Sequence, residues 1–202
     1  MPVANSQTAI INKALVLVGA ATVTSINDGT PAANALSNVY EIALQSLLSE
    51  CKWNFCTSRA TLSFAATTST SPAFFYPGEE FVYSLPPNVI RIWDVQPTPG
   101  TWREESGQII SDTANISILY TYYDDNPNDY PSYFLDAFID KLASEIAYQI
   151  TNSASIAEGF VKKYMTISLT KAVSANSQTG IQQIYTDDAW TSSKYQDINL
   201  NA

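Results

Sequence analysis

The fold of this chain is decided by residues 6–55, which read SQTAIINKALVLVGAATVTSINDGTPAANALSNVYEIALQSLLSECKWNF. The first part of this stretch has apolar residues at helical spacing, and Gly19 ends the pattern as the residue after a helix does. Thr30 followed by Pro31 predicts the start of a second helix, because Thr caps helices and Pro lacks the N–H that would be unpaired there. The second apolar stripe runs to Cys51, so the stretch predicts a helical hairpin.

The middle of the chain loses the helical period, and aromatic and β-branched residues dominate residues 73–123. Alternation of apolar and polar side chains predicts strands at residues 89–95 and 116–122, with a short strand at 108–111 between them. The Ser/Thr-rich residues 57–72 are expected to form a polar connection before this region. The pattern predicts a small antiparallel β insertion.

Helical periodicity returns in the last third. Residues 132–150 predict a third helix whose apolar side chains cover more than one stripe, so we expect it to lie centrally. Ser155 and Glu158 have the spacing of a capping box, which predicts the start of a fourth helix. Gly159 costs helix stability relative to alanine, so close packing against a neighbour is the expected reason for a glycine there. The predicted buried stripe of this helix is Phe160, Tyr164 and Ile167, flanked by Val161, Leu169 and Val173.

Together these elements predict an α+β fold that is mainly α. We expect a bundle of about four helices, a small antiparallel β insertion between helices two and three, and an extended C-terminal arm. The predicted segments are an N-terminal helical hairpin at 1–56, a loop plus β insertion at 57–130, a C-terminal helical hairpin that completes one helical domain at 131–175, and the arm at 176–202.

The predicted arm is rich in Ser, Asn, Gln and Thr, yet it carries evenly spaced apolar residues. Two interpretations remain open: an unstructured end with incidental aromatics, or an arm that becomes ordered on the surface of a partner. The residues expected to contact that partner are Ile181, Ile184, Tyr185, Trp190 and Tyr195.

The composition restricts the classes of function. The 19 acidic residues outnumber the 10 basic ones, for a net charge of −9, so the chain lacks the basic surface that tight DNA binding requires. Acidity favours solubility, and it also suits a passage along which DNA slides, because a negative wall repels phosphates. The chain has no histidine, which excludes His-based triads and the commonest metal ligand. Cys51 and Cys56 are expected to be reduced thiols.

Candidate catalytic groups are limited to adjacent carboxylates. Such pairs in turns are typical of solvated loops, although a glycan hydrolase needs only two acids and stays an open alternative. Residues 124–129 lack the glycine and the terminal glutamate of a calcium-binding EF-hand loop. Trp53 and Trp93 are expected in the core, and no apolar run has the length of a membrane span. The pairs are Glu79-Glu80, Glu104-Glu105, Asp124-Asp125 and Asp187-Asp188.

Several sequence blocks occur in a defined order across most of residues 6–172. They are Ala14-Leu15 with Gly19, Val23 to Thr30, Val39-Tyr40, Trp53-Asn54-Phe55-Cys56 with Arg59-Ala60, Tyr83 to Ile92, Gly107 to Asp112, Ile116 to Tyr120, and Pro131 to Ala147. In this order they resemble the tail tubular protein A family, which supplies the head-to-tail adaptor ring of short-tailed bacteriophages. The family-motif positions carried by this resemblance are Gly19, Asp28, Tyr40, Trp53, Phe55, Arg59, Leu85, Pro86 and Tyr120.

The resemblance implies a structural virion protein that has no enzymatic activity and no cofactor or metal. Its expected partners are sister subunits in a dodecameric ring, the portal protein, a tail nozzle protein similar to tubular protein B, and tail fibres. The genome would pass through the lumen without sequence-specific binding, and no membrane would be contacted. Such a protein is made in the host cytoplasm and resides in the virion tail. The alternatives left open are another neck or stopper ring component and a virion-associated carboxylate-dependent glycan or peptidoglycan hydrolase.

Residues 67–71 and everything after residue 175 match no pattern of the family. The second predicted helix also has few Arg and Lys residues for such a chain, which affects the polarity expected of any partner-facing surface.

Overall fold

The computed structural model describes residues 6–67 and 75–179 of the chain. Within these ranges the protein is mixed α and β, with helices before and after two small antiparallel sheets. A single π turn, Tyr164–Ser168, joins the last two helices without a break. The helices are α1 (Gln7–Leu17), α2 (Pro31–Glu50), α3 (Ser132–Thr151), α4 (Ala154–Lys163) and α5 (Leu169–Ser177), with short 3-10 turns at Asn54–Cys56 and Pro127–Asp129.

The Thr30 cap of α2 and the end of α1 before Gly19 form as predicted, and the structure adds a cap at Ser6. The Ser6 side chain accepts a hydrogen bond from Ala9 N, and Thr30 Oγ1 accepts one from Ala33 N at 3.2 Å. These bonds satisfy amide groups that have no partner within a helix at its first turn. Gly19 follows α1 with a φ of +80°, a left-handed conformation that a residue without a Cβ adopts at little cost.

The predicted capping box of the fourth helix is wrong. This helix begins at Ala154, one residue before Ser155, and its N-cap residue Ser153 makes no side-chain capping bond. The cause lies in the preceding turn, where Asn152 ends α3 with a left-handed φ of 53°. Because only Asn152 and Ser153 separate the two helices, α4 starts too early for Ser155 and Glu158 to pair across its first turn.

The buried face of the last helix also differs from the predicted stripe. The predicted member Ile167 is 46% exposed, and Val161 and Val173 are exposed as well. The π turn shifts the helical register, so that polar and small residues share the buried face. A Cβ added at Gly159 would meet no atom within 4 Å, so the expected close packing there is wrong. The buried residues are Tyr164, Ser168, Ala172 and Asn176, spaced by four.

The third helix lies centrally, as predicted. It packs against α1, α2 and the whole of the α4–α5 helix. Phe134 on its first turns is fully buried, with its ring centroid 4.8 Å from that of Phe55 and 5.1 Å from those of Trp53 and Tyr130. Edge-on contacts of this kind add to the stabilisation that comes from burial alone. The core of the helical part is therefore centred on this aromatic cluster.

The β region is larger than predicted. Residues 57–67, expected to be part of a polar connection, form two strands, because each finds a partner far along the chain: β1 pairs with β7 and β2 with β3. All pairings are antiparallel, in the orders β1-β7-β4 and β2-β3-β6-β5. The strands are β1 (Thr57–Thr61), β2 (Ser63–Thr67), β3 (Phe81–Ser84), β4 (Val89–Gln96), β5 (Trp102–Glu105), β6 (Gln108–Ser111) and β7 (Ser117–Tyr122).

The two sheets share a second, smaller apolar cluster, and hydrogen bonds join this region to the helices. Arg91 Nη1 donates to the carbonyl oxygen of Ser49 at 2.9 Å. Trp93, predicted in the core, is only half-buried: its Nε1 donates to Thr121 Oγ1, and the Arg91 guanidinium lies 4.3 Å above its ring. The cluster consists of Leu62, Tyr83, Val95, Ile109, Ile116, Ile118 and Tyr120.

Candidate functional site

Exposed apolar side chains are concentrated on the helices. Single exposed hydrophobic residues are ordinary, but contiguous patches mark interaction surfaces. Here several of them line two grooves that flank the continuous α4–α5 helix. The large exposed apolar residues on helices are Val16, Leu17, Ile42, Tyr148, Ile156, Val161, Met165, Ile167 and Val173.

The first groove, called the lysine groove below, lies between α1, α3 and the α4–α5 helix and has a volume of about 450 Å³. Its exposed large apolar side chains are Leu17, which is 41% exposed, and Ile167. Three of the 10 basic residues of the chain line it, which is notable in so acidic a protein. The side chains that define it include Lys13, Leu17, Asp140, Lys163, Ile167 and Lys171.

The floor of the lysine groove is held by a buried carboxylate. Asp140 Oδ1 accepts a bond from Lys163 Nζ at 2.7 Å, and its Oδ2 accepts one from Ser168 Oγ at 2.5 Å. Asp140 lies on α3 and is 8% exposed, so its charge is compensated by a cation and a hydroxyl from the facing helix. At the groove edge, Lys13 Nζ is 3.6 Å from a carboxylate oxygen of Asp136.

The second groove, called the apolar groove below, lies between the end of α3 and α4 and has a volume of about 560 Å³. Met165 is 61% exposed there and Tyr148 56%, and one acid and one base stand at its edge. The side chains that define it include Tyr148, Ala157, Glu158, Val161, Lys162 and Met165.

Helical geometry places the two grooves on opposite sides of the α4–α5 helix. Val161 and Met165 are four residues apart and face the apolar groove, whereas Lys163 and Ile167 are four apart and face the lysine groove. Successive residues of a helix rotate by about 100°, so the two-residue offset separates these faces by about 200°. One rigid element therefore presents two different surfaces at once.

A second buried charge cluster anchors the π turn between the grooves. Lys141 Nζ lies 3.2 Å from Glu50 Oε1, and Tyr164 Oη donates to the same carboxylate at 2.9 Å. Lys141 is 7% exposed, and its ammonium group lies 4.9 Å from the centre of the Tyr164 ring. Because π turns have weaker backbone hydrogen bonding than α-helices, these contacts fix the segment that separates the two grooves.

The end of α5 is fastened to the end of α2 by a set of hydrogen bonds, called the exit clamp below. Asn176 Oδ1 accepts from Asn54 N at 2.9 Å, and its Nδ2 donates to the Lys52 carbonyl oxygen at 2.8 Å. Tyr133 Oη donates to the same Asn176 oxygen, and Asn54 Nδ2 donates to Thr179 Oγ1. Residues beyond Thr179 therefore start from a defined point near the lysine groove, since Tyr133 also lines that groove.

Three of the family-motif positions meet in the aromatic core. Tyr40 packs edge-on against Phe138 at 5.1 Å, and Trp53 is fully buried with its Nε1 donating to the Leu47 carbonyl oxygen. Phe55 joins the same cluster. These residues hold helices together and do not line either groove.

The other motif positions lie apart from one another. Asp28 accepts hydrogen bonds from Thr24 and Thr30 in the α1–α2 connection, which lowers its pKa. Arg59 is exposed on β1, and Tyr120 is buried on β7. The turn after β3 contains Leu85 and Pro86, where Leu85 N donates to the Gly107 carbonyl oxygen.

The residues Ile181, Ile184, Tyr185, Trp190 and Tyr195 and the Asp187-Asp188 pair lie outside the described residues. The sequence reasoning did not single out the lysine groove or the apolar groove. The spacing of four between Ile167 and Lys171 and between Val161 and Met165 was a usable signal, but only the position of the π turn shows which side of the helix is free.

Within residues 6–67 and 75–179, members of two of the carboxylate pairs meet at one arginine. Glu79 and Glu105 are joined through Arg103, whose guanidinium binds the first at 2.8 Å and the second at 3.1 Å. Asp124 is 8% exposed, and its burial raises the pKa of its carboxyl group. Neighbouring Asp125 is exposed.

Both cysteines are free thiols, and burial raises the pKa of Cys51 to about 11 and that of Cys56 to about 12. Among the residues that the structure describes, no group of three His, Cys, Asp or Glu side chains is placed to hold a metal ion. No helix within residues 6–67 and 75–179 combines the length and hydropathy of a membrane span.

A comparison of the chain with protein-family models finds no matching family, and a comparison with curated proteins finds no matching relative.

Proposed function

We propose that this chain is a structural virion protein that forms the adaptor ring between a phage portal and the tail nozzle. The observation that carries the proposal is the pair of different exposed grooves on opposite sides of one continuous helix. The sequence blocks, in their order along the chain, carry the resemblance to the tail tubular protein A family. In this role the protein performs no chemical turnover.

The two grooves suit a ring because a ring is built from heterologous contacts. In such contacts one face of a subunit meets a different face of the next, and the rotation closes. Burying one exposed Met or Val side chain at an interface contributes about 1.5–3 kcal/mol before the costs of association. The apolar groove offers Val161 and Met165 for this purpose, and the lysine groove offers Leu17 and Ile167.

The remaining parts of the chain have defined roles in this proposal. The helices act as one bundle whose rigidity comes from the aromatic core and from the Glu50 and Asp140 charge clusters. The sheets between α2 and α3 form an insertion that reaches the portal or the nozzle, and residues after Thr179 form the contact arm. The net charge of −9 lets DNA pass the lumen without being held.

Imaging tests the proposal directly. The purified protein is mixed with portal-bearing particles, and the expected result is a ring bound beneath the portal. Met165→Glu places a charge in the apolar groove and is expected to prevent ring formation, whereas Ile42→Glu serves as the matched control. Ile42 is 71% exposed and lies outside both grooves, so its substitution should leave the ring intact.

Either of two results contradicts the proposal: normal rings from Met165→Glu, or no ring from the unaltered protein with portal-bearing particles. A ring located elsewhere in the neck instead supports a stopper or other neck component.

A further inference from the structure

One cation of the lysine groove has no acidic partner among residues 6–67 and 75–179. The other two lysines of the groove each have a carboxylate within ion-pair distance, but Lys171 is exposed without one. Ile167, four residues earlier, is 46% exposed on the same side of the helix. The groove therefore presents an apolar group and a free positive charge about 6 Å apart along the helix axis.

The chain carries a complementary pair beyond its described residues. Ile184 and Asp188 are also four residues apart, and residues 180–202 contain three aspartates and one lysine. A segment with helical spacing that lies alongside α5 in the same direction brings Ile184 onto Ile167 and Asp188 onto Lys171 at the same time. The charges are opposite in sign and attract each other, since this segment is acidic and Lys171 is basic.

Chain length and direction disfavour this pairing within one chain. Ile167 precedes Thr179 by 12 residues of helix and turn, about 18 Å along the axis. Ile184 follows Thr179 by five residues, which span about 17 Å when fully extended and less with helical spacing. The chain would also have to reverse and then run back in the direction of α5. Five residues cover that span only when fully extended, which leaves none for the reversal, whereas the segment of a second copy has no such restriction.

We propose that the lysine groove binds residues 181–188 of a neighbouring copy of this chain, with Ile184 against Ile167 and Asp188 paired with Lys171. The inference rests on the proposed ring, because in a closed ring every subunit has a neighbour whose lysine groove accepts its segment. The exit clamp fixes where each segment leaves its own subunit, which reduces the entropy lost on binding.

Disulfide trapping in the assembled ring tests which chain supplies the segment. One preparation carries Ile167→Cys and a second carries Ile184→Cys, both with Cys51→Ser to remove the partly exposed native thiol. Under mild oxidation we expect a cross-linked product of two chains from the mixture and none from either preparation alone. A chain that carries both substitutions tests the alternative, in which the groove binds the segment of its own chain. A cross-link of that kind leaves the mass of a single chain.

Charge exchange tests the salt bridge independently. Lys171→Glu and Asp188→Lys are each expected to raise the protein concentration needed for ring formation by about fivefold. Combining them restores the pair with its signs exchanged and should return that concentration to within about twofold of the original. Lys52→Glu is the matched control, because it makes the same charge change on an exposed lysine outside both grooves.

The outcomes separate this inference from the proposed function. Rings that form without the cross-link between chains, or without recovery in the charge exchange, overturn the inference and leave the ring standing. A cross-link confined to one chain overturns it in favour of the subunit's own segment. Failure of the unaltered protein to form a ring overturns both.

Discussion

The helical part and the sheets of this protein are stabilised by cores of different size. Among residues 6–67 and 75–179, the helical core contains 26 buried apolar residues, and the core shared by the two sheets contains seven. Apolar burial is the main favourable term in folding, so most of the stability should lie in the helices. The helices are also where apolar side chains remain exposed in grooves. The difference indicates a stable helical scaffold whose outer surface is available for contacts.

The largest effect is expected at the centre of the helical core. Phe134→Ala should lower the free energy of unfolding by about 3–5 kcal/mol, because it removes a ring that contacts four other aromatic residues. Chemical denaturation followed by tryptophan fluorescence measures the change. Phe64→Ala, at a ring that is 56% exposed on β2, is the matched control and should cost far less. Equal losses would contradict the placement of Phe134 at the centre of the stable core.

The sheet core is tested by Ile109→Ala. Ile109 is fully buried between the sheets, and its truncation should cost about 2–4 kcal/mol of local stability. If the helices form the more stable unit, hydrogen exchange should accelerate in β3, β5 and β6 while the amides of α3 stay protected. Simultaneous loss of protection in α3 would show that the two parts unfold as one.

Smaller losses are expected at the buried ion pair between α2 and α3. Lys141→Met should cost about 1–2 kcal/mol, less than breaking a fully buried pair, because the Glu50 side chain is 27% exposed. Lys13→Met, at an exposed pair 3.6 Å apart, is the control and should change stability by less than about 0.5 kcal/mol. Thermal unfolding measures the loss of stability in each variant. Equal losses would contradict the role of the Glu50–Lys141 pair in anchoring the π turn.

A gain is expected where the structure leaves space. Gly159→Ala should stabilise the protein by about 1 kcal/mol, because a Cβ there meets no atom and alanine favours the helix. Gly19→Ala should instead destabilise it by a similar amount, since its φ is +80°. Differential scanning calorimetry of the two variants distinguishes the open helical site at Gly159 from the left-handed turn at Gly19. If both substitutions destabilised the protein, the open space at Gly159 would be contradicted.

The smallest effect concerns pH at the junction between β7 and α3. Burial raises the pKa of the Asp124 carboxyl group, so the folded state binds its proton more tightly than the unfolded state. The stabilisation from this proton is present below the usual carboxyl pKa near 4 and is lost as pH rises through the raised value. Asp124→Asn should therefore be more stable than the original at pH 7, by less than about 1 kcal/mol. Unfolding measured at pH 4 and pH 7 should show a flatter dependence in the variant.

Local signals predicted the helical half of the fold. The cap at Thr30 and the stripes of α1 and α2 depend on neighbours within about four residues, which the sequence displays directly. The strands of residues 57–67 escaped prediction because their partners lie far along the chain, in β7 and β3. Strand preference depends on such partners more than on the segment itself.

The candidate site was predicted less well than the fold. The structure places the motif positions Tyr40, Trp53 and Phe55 in or against the helical core, away from both grooves. The groove residues Ile167 and Met165 look like ordinary members of an amphipathic helix in sequence. Their exposure follows from the register of α4–α5 against α3, which the π turn sets.

The sequence by itself determined where the first two helices lie, the central position of α3, and the acidic character of the chain. These properties follow from local hydrogen bonding, periodicity and composition. Only the tertiary structure decided that the last helix buries Ser168 while exposing Ile167, and that three lysines meet in one groove. The reason is physical: which face of a helix is free depends on how it packs against neighbours distant in sequence.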